Sequence, residues 1–226
     1  MHRSNRFPEP EAADLAVLKQ VIRFGWLATD QIACIYELPT DDAVVRISKL
    51  CSRSLLIRDP RRLAVGGSIY THTRTGARVA GLGIGDDPIN DRWVYHHLTV
   101  NDVANALLRE DKRARWLTER ELLNLRQRQA RHEGWSDNDH IPDGELITSI
   151  GRRIAIEVEL NDKDWIRYVD ICRWYGDQFG FHALRWYVAV PSLHQRLKTL
   201  MWEHGLTEDM DMTVHDLPPG VEVRHK

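Results

Sequence analysis

Hydrophobic residues in the first part of the chain recur at intervals of three or four, which is the spacing of one face of a helix. The first such stripe consists of Leu15, Leu18, Ile22 and Trp26. A short second helix is predicted over 30–37, and Pro39 interrupts the chain before a third helix over 40–54. A short helix, a tight turn and a third amphipathic helix together predict a helix-turn-helix arrangement.

The predicted third helix has an apolar face and a basic face. Its apolar stripe consists of Val44, Ile47, Cys51 and Leu55. Arg46, Lys49 and Arg53 follow one another at helical spacing, so we expect them to form a single basic stripe. Beyond the helix, Asp59-Pro60 and Gly66-Gly67 supply turn residues between apparent strands. The first part of the chain therefore predicts a winged helix-turn-helix.

The distribution of charge changes what the total charge implies. The 226 residues include 31 basic and 33 acidic ones, a net charge of −2, which excludes a histone-like polycation. Residues 43–78 hold eight cations against Asp59 alone, a net of +7, so the remainder carries −9. Such a basic cluster favours a phosphate backbone through attraction and counterion release.

We expect the third helix to enter the major groove of duplex DNA and the wing to touch the adjacent backbone. The predicted DNA-binding residues are Arg46, Lys49, Arg53, Arg58, Arg61 and Arg62. Asp41 and Asp42 at the start of this helix suit its dipole but repel nearby phosphates. The alternative is therefore a solvated basic face on a winged helix that binds only protein.

Other classes of protein are excluded by the pattern of apolar residues and cysteines. No apolar stretch approaches the roughly 18 residues that span a bilayer, and the first residues lack the apolar region of a signal peptide. Cys34, Cys51 and Cys172 lie far apart, which argues against a disulfide framework or a Cys-x-x-Cys zinc site. We expect them to be small buried hydrophobes in a cytoplasmic protein.

A segment rich in Gly, Asp and Pro over 81–88 predicts a boundary between a winged-helix domain over 1–84 and a second domain over 85–226. In the second domain, capping boxes beginning at Thr99 and Thr118 open two helices with a strand between them. A hairpin, a helix, a strand and a final helix follow. This order predicts an α/β sandwich with a central mixed sheet.

Three carboxylates converge on the predicted hairpin. Apolar residues alternate with Ala155, Glu157 and Glu159, so both glutamates lie on one surface of the strand. A short turn near Gly151 brings Asp143 onto the neighbouring antiparallel strand. Clustered carboxylates repel each other, and a divalent cation such as Mg²⁺ or Mn²⁺ relieves that repulsion. The alternative is a solvent-facing hairpin with three acids.

The Pro-Asp…Glu-x-Glu pattern in this order of elements resembles the PD-(D/E)XK nuclease-like fold. The resemblance implies that Asp143 and Glu157 hold the metal ion. The usual catalytic lysine falls at Glu159, which becomes a further ligand or a water-positioning group, and Lys163 in the next helix stabilises developing negative charge. His140 either positions a phosphate or acts as a general base, unless it merely caps or packs the loop.

Over roughly residues 12–190 the chain resembles the replication-relaxation family of plasmid and mobile-element proteins. The resemblance rests on the winged helix followed by His96-His97, Trp116-x-x-Glu119, His140-x-Pro142-Asp143-Gly144 and Glu157-x-Glu159, with Lys163, Arg167-Tyr168 and Tyr175 after them. It implies a role in DNA replication, relaxation or transfer. The predicted activity is metal-dependent cleavage of DNA, and the alternative is a non-catalytic DNA-binding regulator or relaxosome accessory factor. The expected partners are double-stranded DNA, a relaxase or replication proteins, and a second copy of the chain.

Overall fold

The computed structural model divides the chain into two compact units, Met1–Asn101 with Arg224–Lys226, and Asp102–Val223. The structure describes residues 10–64, 66–84, 93–133, 140–177, 180–203 and 210–225. The predicted domain boundary after residue 84 adjoins residues 85–92, which lie outside the described residues. Val94 and Leu98 pack with Trp26 in the core of the first unit, so this unit extends beyond residue 84 to Asn101.

The first unit contains three helices and a short strand, followed by a hairpin and further helices. Its elements are α1 (Ala12–Phe24), β1 (Leu27–Ala28), α2 (Thr29–Ile35), α3 (Thr40–Ser52), β2 (Leu56–Arg62), β3 (Ser68–His72), α4 (Arg74–Ala80) and the start of α5 (Val94–Glu110). The strands form an antiparallel sheet in the order β1-β3-β2. The predicted order of two helices and a hairpin is confirmed, and it agrees with the winged-helix interpretation. We call α2 and α3 the helix-turn-helix and β2–β3 the wing.

The buried face of α3 differs from the predicted one. Ala43, Ile47 and Leu50 are buried, whereas Val44 is 41% exposed. The predicted stripe and the observed stripe share Ile47, so helical spacing alone fits both. With this face of α3 buried, Arg46 lies toward α1 and forms an ion pair with the buried Asp14.

The second unit is a five-stranded sheet with helices. Its elements are the rest of α5, β4 (Arg115–Thr118), α6 (Glu119–Glu133), β5 (Gly144–Ile147), β6 (Arg153–Glu159), α7 (Trp165–Gly176), β7 (Ala183–Val188), α8 (Pro191–Glu203) and β8 (Asp211–Asp216). The strand order is β4-β5-β6-β7-β8, with antiparallel pairs up to β6 and parallel pairs beyond it. The predicted mixed sheet and order of elements are confirmed, and β8 is an additional strand.

The central strand β6 is buried on both faces. Ala155 packs into a core with Tyr168, Cys172 and Leu197 from α7 and α8, and the opposite-facing Ile156 is also fully buried. Helices α7 and α8 cover the face of β6 that carries Glu157 and Glu159, and both glutamates are buried. The alternative prediction of a solvent-facing hairpin is therefore wrong for these two residues.

Candidate functional site

The predicted carboxylates come together near the end of β6 and the start of β5. Gly144 pairs with Ile156 across the hairpin, which places the preceding Asp143 beside the end of β6. Its Oδ2 accepts a hydrogen bond of 2.7 Å from the backbone N–H of Val158. Gly144 itself leaves room for Trp116, since an added Cβ would lie 1.9 Å from Cζ2 of that ring.

Glu157 is held by two side chains that converge on the same oxygen. The Tyr175 hydroxyl donates to Oε1 of Glu157 at 2.5 Å, and Nε2 of His140 lies 2.7 Å from that oxygen. The His140 ring packs edge-on against Tyr175 and Trp174, which fixes its orientation. The Glu157 side chain is 5% exposed and that of His140 is 24% exposed, so the imidazole forms the outer side of this pair.

Tyr175 is a polar partner that helical spacing assigns only to the apolar core of α7. Its ring is fully buried, and a buried tyrosine hydroxyl normally finds a hydrogen-bond partner. The sequence signals for this role are the choice of tyrosine rather than phenylalanine and the place of Tyr175 in the pattern that carries the family resemblance. Burial and the neighbouring Glu157 raise the pKa of Tyr175 well above its usual value, so it remains a hydrogen-bond donor.

Glu159 and Lys163 form a second pair in the same cluster. The Lys163 ammonium donates to Oε1 of Glu159, and the Lys163 backbone N–H donates to the Tyr168 hydroxyl at 3.0 Å. Burial raises the pKa of Glu159 to about 7, against the opposing effect of Lys163, and the charges of Asp143 and Glu157 raise it further. Glu159 therefore exchanges a proton near neutral pH.

The electrostatic surroundings of His140 favour its charged form. Burial alone lowers the pKa of His140, but the hydrogen bond and charge of Glu157, together with the charge of Asp143, outweigh burial and raise it above its usual value. A protonated imidazole is a donor at both nitrogens and has no lone pair to accept a proton. This arrangement suits an ion pair with Glu157 better than the predicted role of general base.

The carboxylates of the predicted Mg²⁺ or Mn²⁺ site already have partners within the protein. Each predicted acid already accepts a protein hydrogen bond, and His140 and Lys163 supply the positive charge that a divalent cation would otherwise bring. Within the described ranges, no group of three or more His, Cys, Asp or Glu side chains is arranged to hold a metal ion. A Mg²⁺ or Mn²⁺ ion held by Asp143 and Glu157 stays a prediction.

The predicted DNA-binding cations divide into engaged and unengaged side chains. Arg46 is paired with Asp14 at 3.2 Å. Arg61 donates hydrogen bonds from two of its nitrogens to the carboxylate of Asp59, and its guanidinium lies 4.9 Å from the ring centroid of Trp26. The hydrogen bond from Arg61 holds the pKa of Asp59 below its usual value. These two arginines therefore have structural partners inside the first unit.

Among the predicted cations whose side chains the structure describes, Lys49, Arg53 and Arg58 have no ion pair. Lys49 and Arg53 belong to α3 and its C-terminal end, and Arg58 belongs to β2. Lys49 and Arg58 are exposed and Arg53 is half-buried, and none of the three has an ion pair within the part of the chain that the structure describes. Arg62 also lies in β2, but its side chain is outside the described residues.

Comparisons with known proteins yield structural likenesses of low score. No family model and no curated protein matches the chain. A crystal structure of mutant MarR from E. coli complexed with operator DNA is 18% identical, covering 45% of this chain and 75% of that chain with a TM-score of 0.30. PigF with SAH is 13% identical, covering 90% and 57% with a TM-score of 0.21. Scores this low carry no argument, and membership of the replication-relaxation family stays a prediction.

None of the described helices is both long and apolar enough to cross a membrane.

Proposed function

We propose that the protein binds double-stranded DNA through the winged helix of its first unit. The observation that carries this proposal is the presence of Lys49, Arg53 and Arg58 on α3 and β2 without ion-pair partners among the described residues. In helix-turn-helix proteins, the second helix of the motif lies in the major groove. Cations at these positions neutralise phosphates and release counterions, which favours binding to DNA of any sequence.

The second unit is proposed to be a nuclease-like scaffold rather than a nuclease. A helix, three antiparallel strands with α6 inserted after the first of them, a helix and a strand parallel to the third one support the PD-(D/E)XK-like interpretation. The protein's own donors engage Asp143, Glu157 and Glu159, which supports a structural role for these acids. A regulator or accessory factor of plasmid or mobile-element DNA is the wider role, and it rests on the sequence resemblance.

Alanine at Lys49, Arg53 or Arg58 is expected to weaken binding to a mixed-sequence DNA duplex roughly fivefold for each substitution. The loss should be similar for unrelated sequences, because phosphate contacts carry no sequence information. Fluorescence anisotropy of a labelled duplex about two helical turns long measures the affinity.

Arg46→Ala is the matched control, since it removes the same charge from the same helix. Its guanidinium is engaged with Asp14, so we expect lower stability and a smaller change in DNA affinity. Wild-type affinity in all three test variants would place the DNA elsewhere. Absence of salt-sensitive binding by the wild-type protein would favour the winged helix that binds only protein.

Supercoiled plasmid incubated with the wild-type protein and Mg²⁺ or Mn²⁺ is expected to remain supercoiled, because protein donors already engage the carboxylates. Agarose gel electrophoresis separates the supercoiled and nicked forms. Asp143→Ala and Glu157→Ala are the comparison variants. Nicking by the wild-type protein that both substitutions abolish would contradict the scaffold role and establish the predicted nuclease site.

A further inference from the structure

Arg224 is distant in sequence from the winged helix but belongs to the first unit. Its backbone N–H donates to Oγ1 of Thr99 at 2.9 Å, and its Nη2 donates to Oδ2 of Asp30 at 2.7 Å. The Arg224 side chain is 14% exposed. Both the backbone and the side chain of Arg224 therefore form hydrogen bonds within the first unit, and these bonds position its guanidinium at the start of α2.

Asp30 connects this guanidinium to the wing. Its Oδ1 accepts from the backbone N–H of Gln31 at 2.9 Å, while its own backbone N–H donates to the carbonyl of Gly66 at 3.3 Å. Gly66 lies in the turn between β2 and β3. One aspartate thus joins the start of α2, the turn of the wing and Arg224.

The turn of the wing packs directly against the guanidinium. Gly66 has φ +100°, and a Cβ added there would lie 2.2 Å from Nη1 of Arg224 and 2.8 Å from the carboxylate of Asp30. On the other side of the turn, Oγ1 of Thr29 accepts from the backbone N–H of Ser68 and donates to its carbonyl, both at 3.2 Å. The wing is therefore held against α2 at two places, one of which depends on Arg224.

We propose that Arg224 is a positioning residue for DNA binding, which holds the turn of the wing against α2 through Asp30. This inference rests on the proposed DNA binding by the winged helix. A wing that is ordered before binding loses less conformational freedom when DNA binds, so holding it in place raises affinity without any contact between Arg224 and DNA.

Two single substitutions separate this role from simple electrostatics. Arg224→Ala removes a positive charge and Asp30→Ala removes a negative one, so the charge effect alone predicts weaker binding for the first and tighter binding for the second. The tie between Arg224 and Asp30 predicts that both variants bind a mixed-sequence duplex more weakly, by roughly threefold to fivefold.

The double variant sharpens the comparison. Arg224→Ala with Asp30→Ala has the net charge of the wild-type protein, so electrostatics alone predicts wild-type affinity. If the contact between Arg224 and Asp30 holds the wing, the double variant should bind DNA about as weakly as each single variant, since both changes break the same contact. Tighter binding by Asp30→Ala, or wild-type affinity in the double variant, would overturn the proposal.

Hydrogen exchange tests the same contact in the absence of DNA. We expect Arg224→Ala to speed the exchange of the Asp30 and Ser68 backbone amides, which join α2 to the wing. Arg152→Ala is the control, because its exposed pair with Asp211 belongs to the second unit. If the wild-type protein fails to bind DNA, the proposed function fails. Unchanged exchange in Arg224→Ala would instead overturn the positioning role by itself.

Discussion

Arg153→Met is expected to lower the free energy of unfolding by about 3 kcal/mol, because it leaves a buried carboxylate without its cation. The Arg153 guanidinium donates to both oxygens of Glu145 at 2.5 and 2.9 Å, and the Glu145 side chain is 0% exposed. The Arg153 guanidinium lies 5.2 Å from the ring centroid of Phe181, and methionine keeps an apolar side chain there but supplies no hydrogen-bond donor. The pair joins β5 to β6, the two strands that position Asp143 and Glu157, and urea denaturation measures the loss.

The neighbouring residue provides the control for this change. Arg152 pairs with Asp211 at 3.6 Å, and both side chains are about half exposed. Arg152→Met is therefore expected to change the free energy of unfolding by less than about 0.5 kcal/mol. Adding Glu145→Gln to Arg153→Met should recover part of the loss, because it removes the unpaired charge. Arg153 and Arg152 are similarly exposed, at 44% and 46%, so the two changes differ mainly in whether the carboxylate partner is buried. Equal small losses in Arg152→Met and Arg153→Met would contradict the role given to the buried Glu145.

Glu159→Gln is expected to stabilise the protein at pH 8 and to have little effect near pH 5. Burial raises the pKa of Glu159 from 4.5 to about 7 in the folded protein, so the folded state holds this proton more tightly than the unfolded state. The contribution of Glu159 to stability is therefore greatest at low pH and is lost as the pH rises through about 7. At pH 8 the ionised side chain costs up to about 3 kcal/mol, which glutamine avoids.

Urea denaturation at pH 5 and pH 8 measures this difference. His140, whose pKa is also raised, loses its contribution to stability in the same direction as the pH rises, but it is present in both proteins and cancels in the comparison. Glu222→Gln changes an exposed glutamate and should show no such dependence. An effect of Glu159→Gln that is equal at the two pH values would contradict the linkage between burial and ionisation at Glu159.

Periodicity was sufficient to predict the order of elements and the meeting of the three acids. The alternation along β6 and the short turn near Gly151 place Asp143, Glu157 and Glu159 on one surface whatever covers it. The burial of this surface was not predictable from the alternation along β6, because it depends on how α7 and α8 pack against the sheet. For the same reason, helical spacing did not distinguish the observed face of α3 from the one that contains Val44.

The partners of charged side chains lie beyond what sequence patterns indicate. The charge count over residues 43–78 treats Arg46 as a cation that can bind phosphate. In the structure Arg46 is paired with Asp14, which lies 32 residues earlier on α1. The pairing of Arg224 with Asp30 spans 194 residues and has no local signal at all. Such contacts depend on tertiary packing. Because of them, fewer of the basic residues in 43–78 can bind a ligand than the net charge of the segment indicates.

The salt dependence of DNA binding tests the central claim most directly. Affinity of the wild-type protein and of the triple variant Lys49→Ala/Arg53→Ala/Arg58→Ala is measured for one duplex between about 50 and 200 mM salt. Each phosphate contact adds about 0.9 to the slope of log affinity against log salt concentration. We expect the slope of the triple variant to be shallower by about 2 to 3. Equal slopes for the two proteins would contradict DNA binding through α3 and the wing.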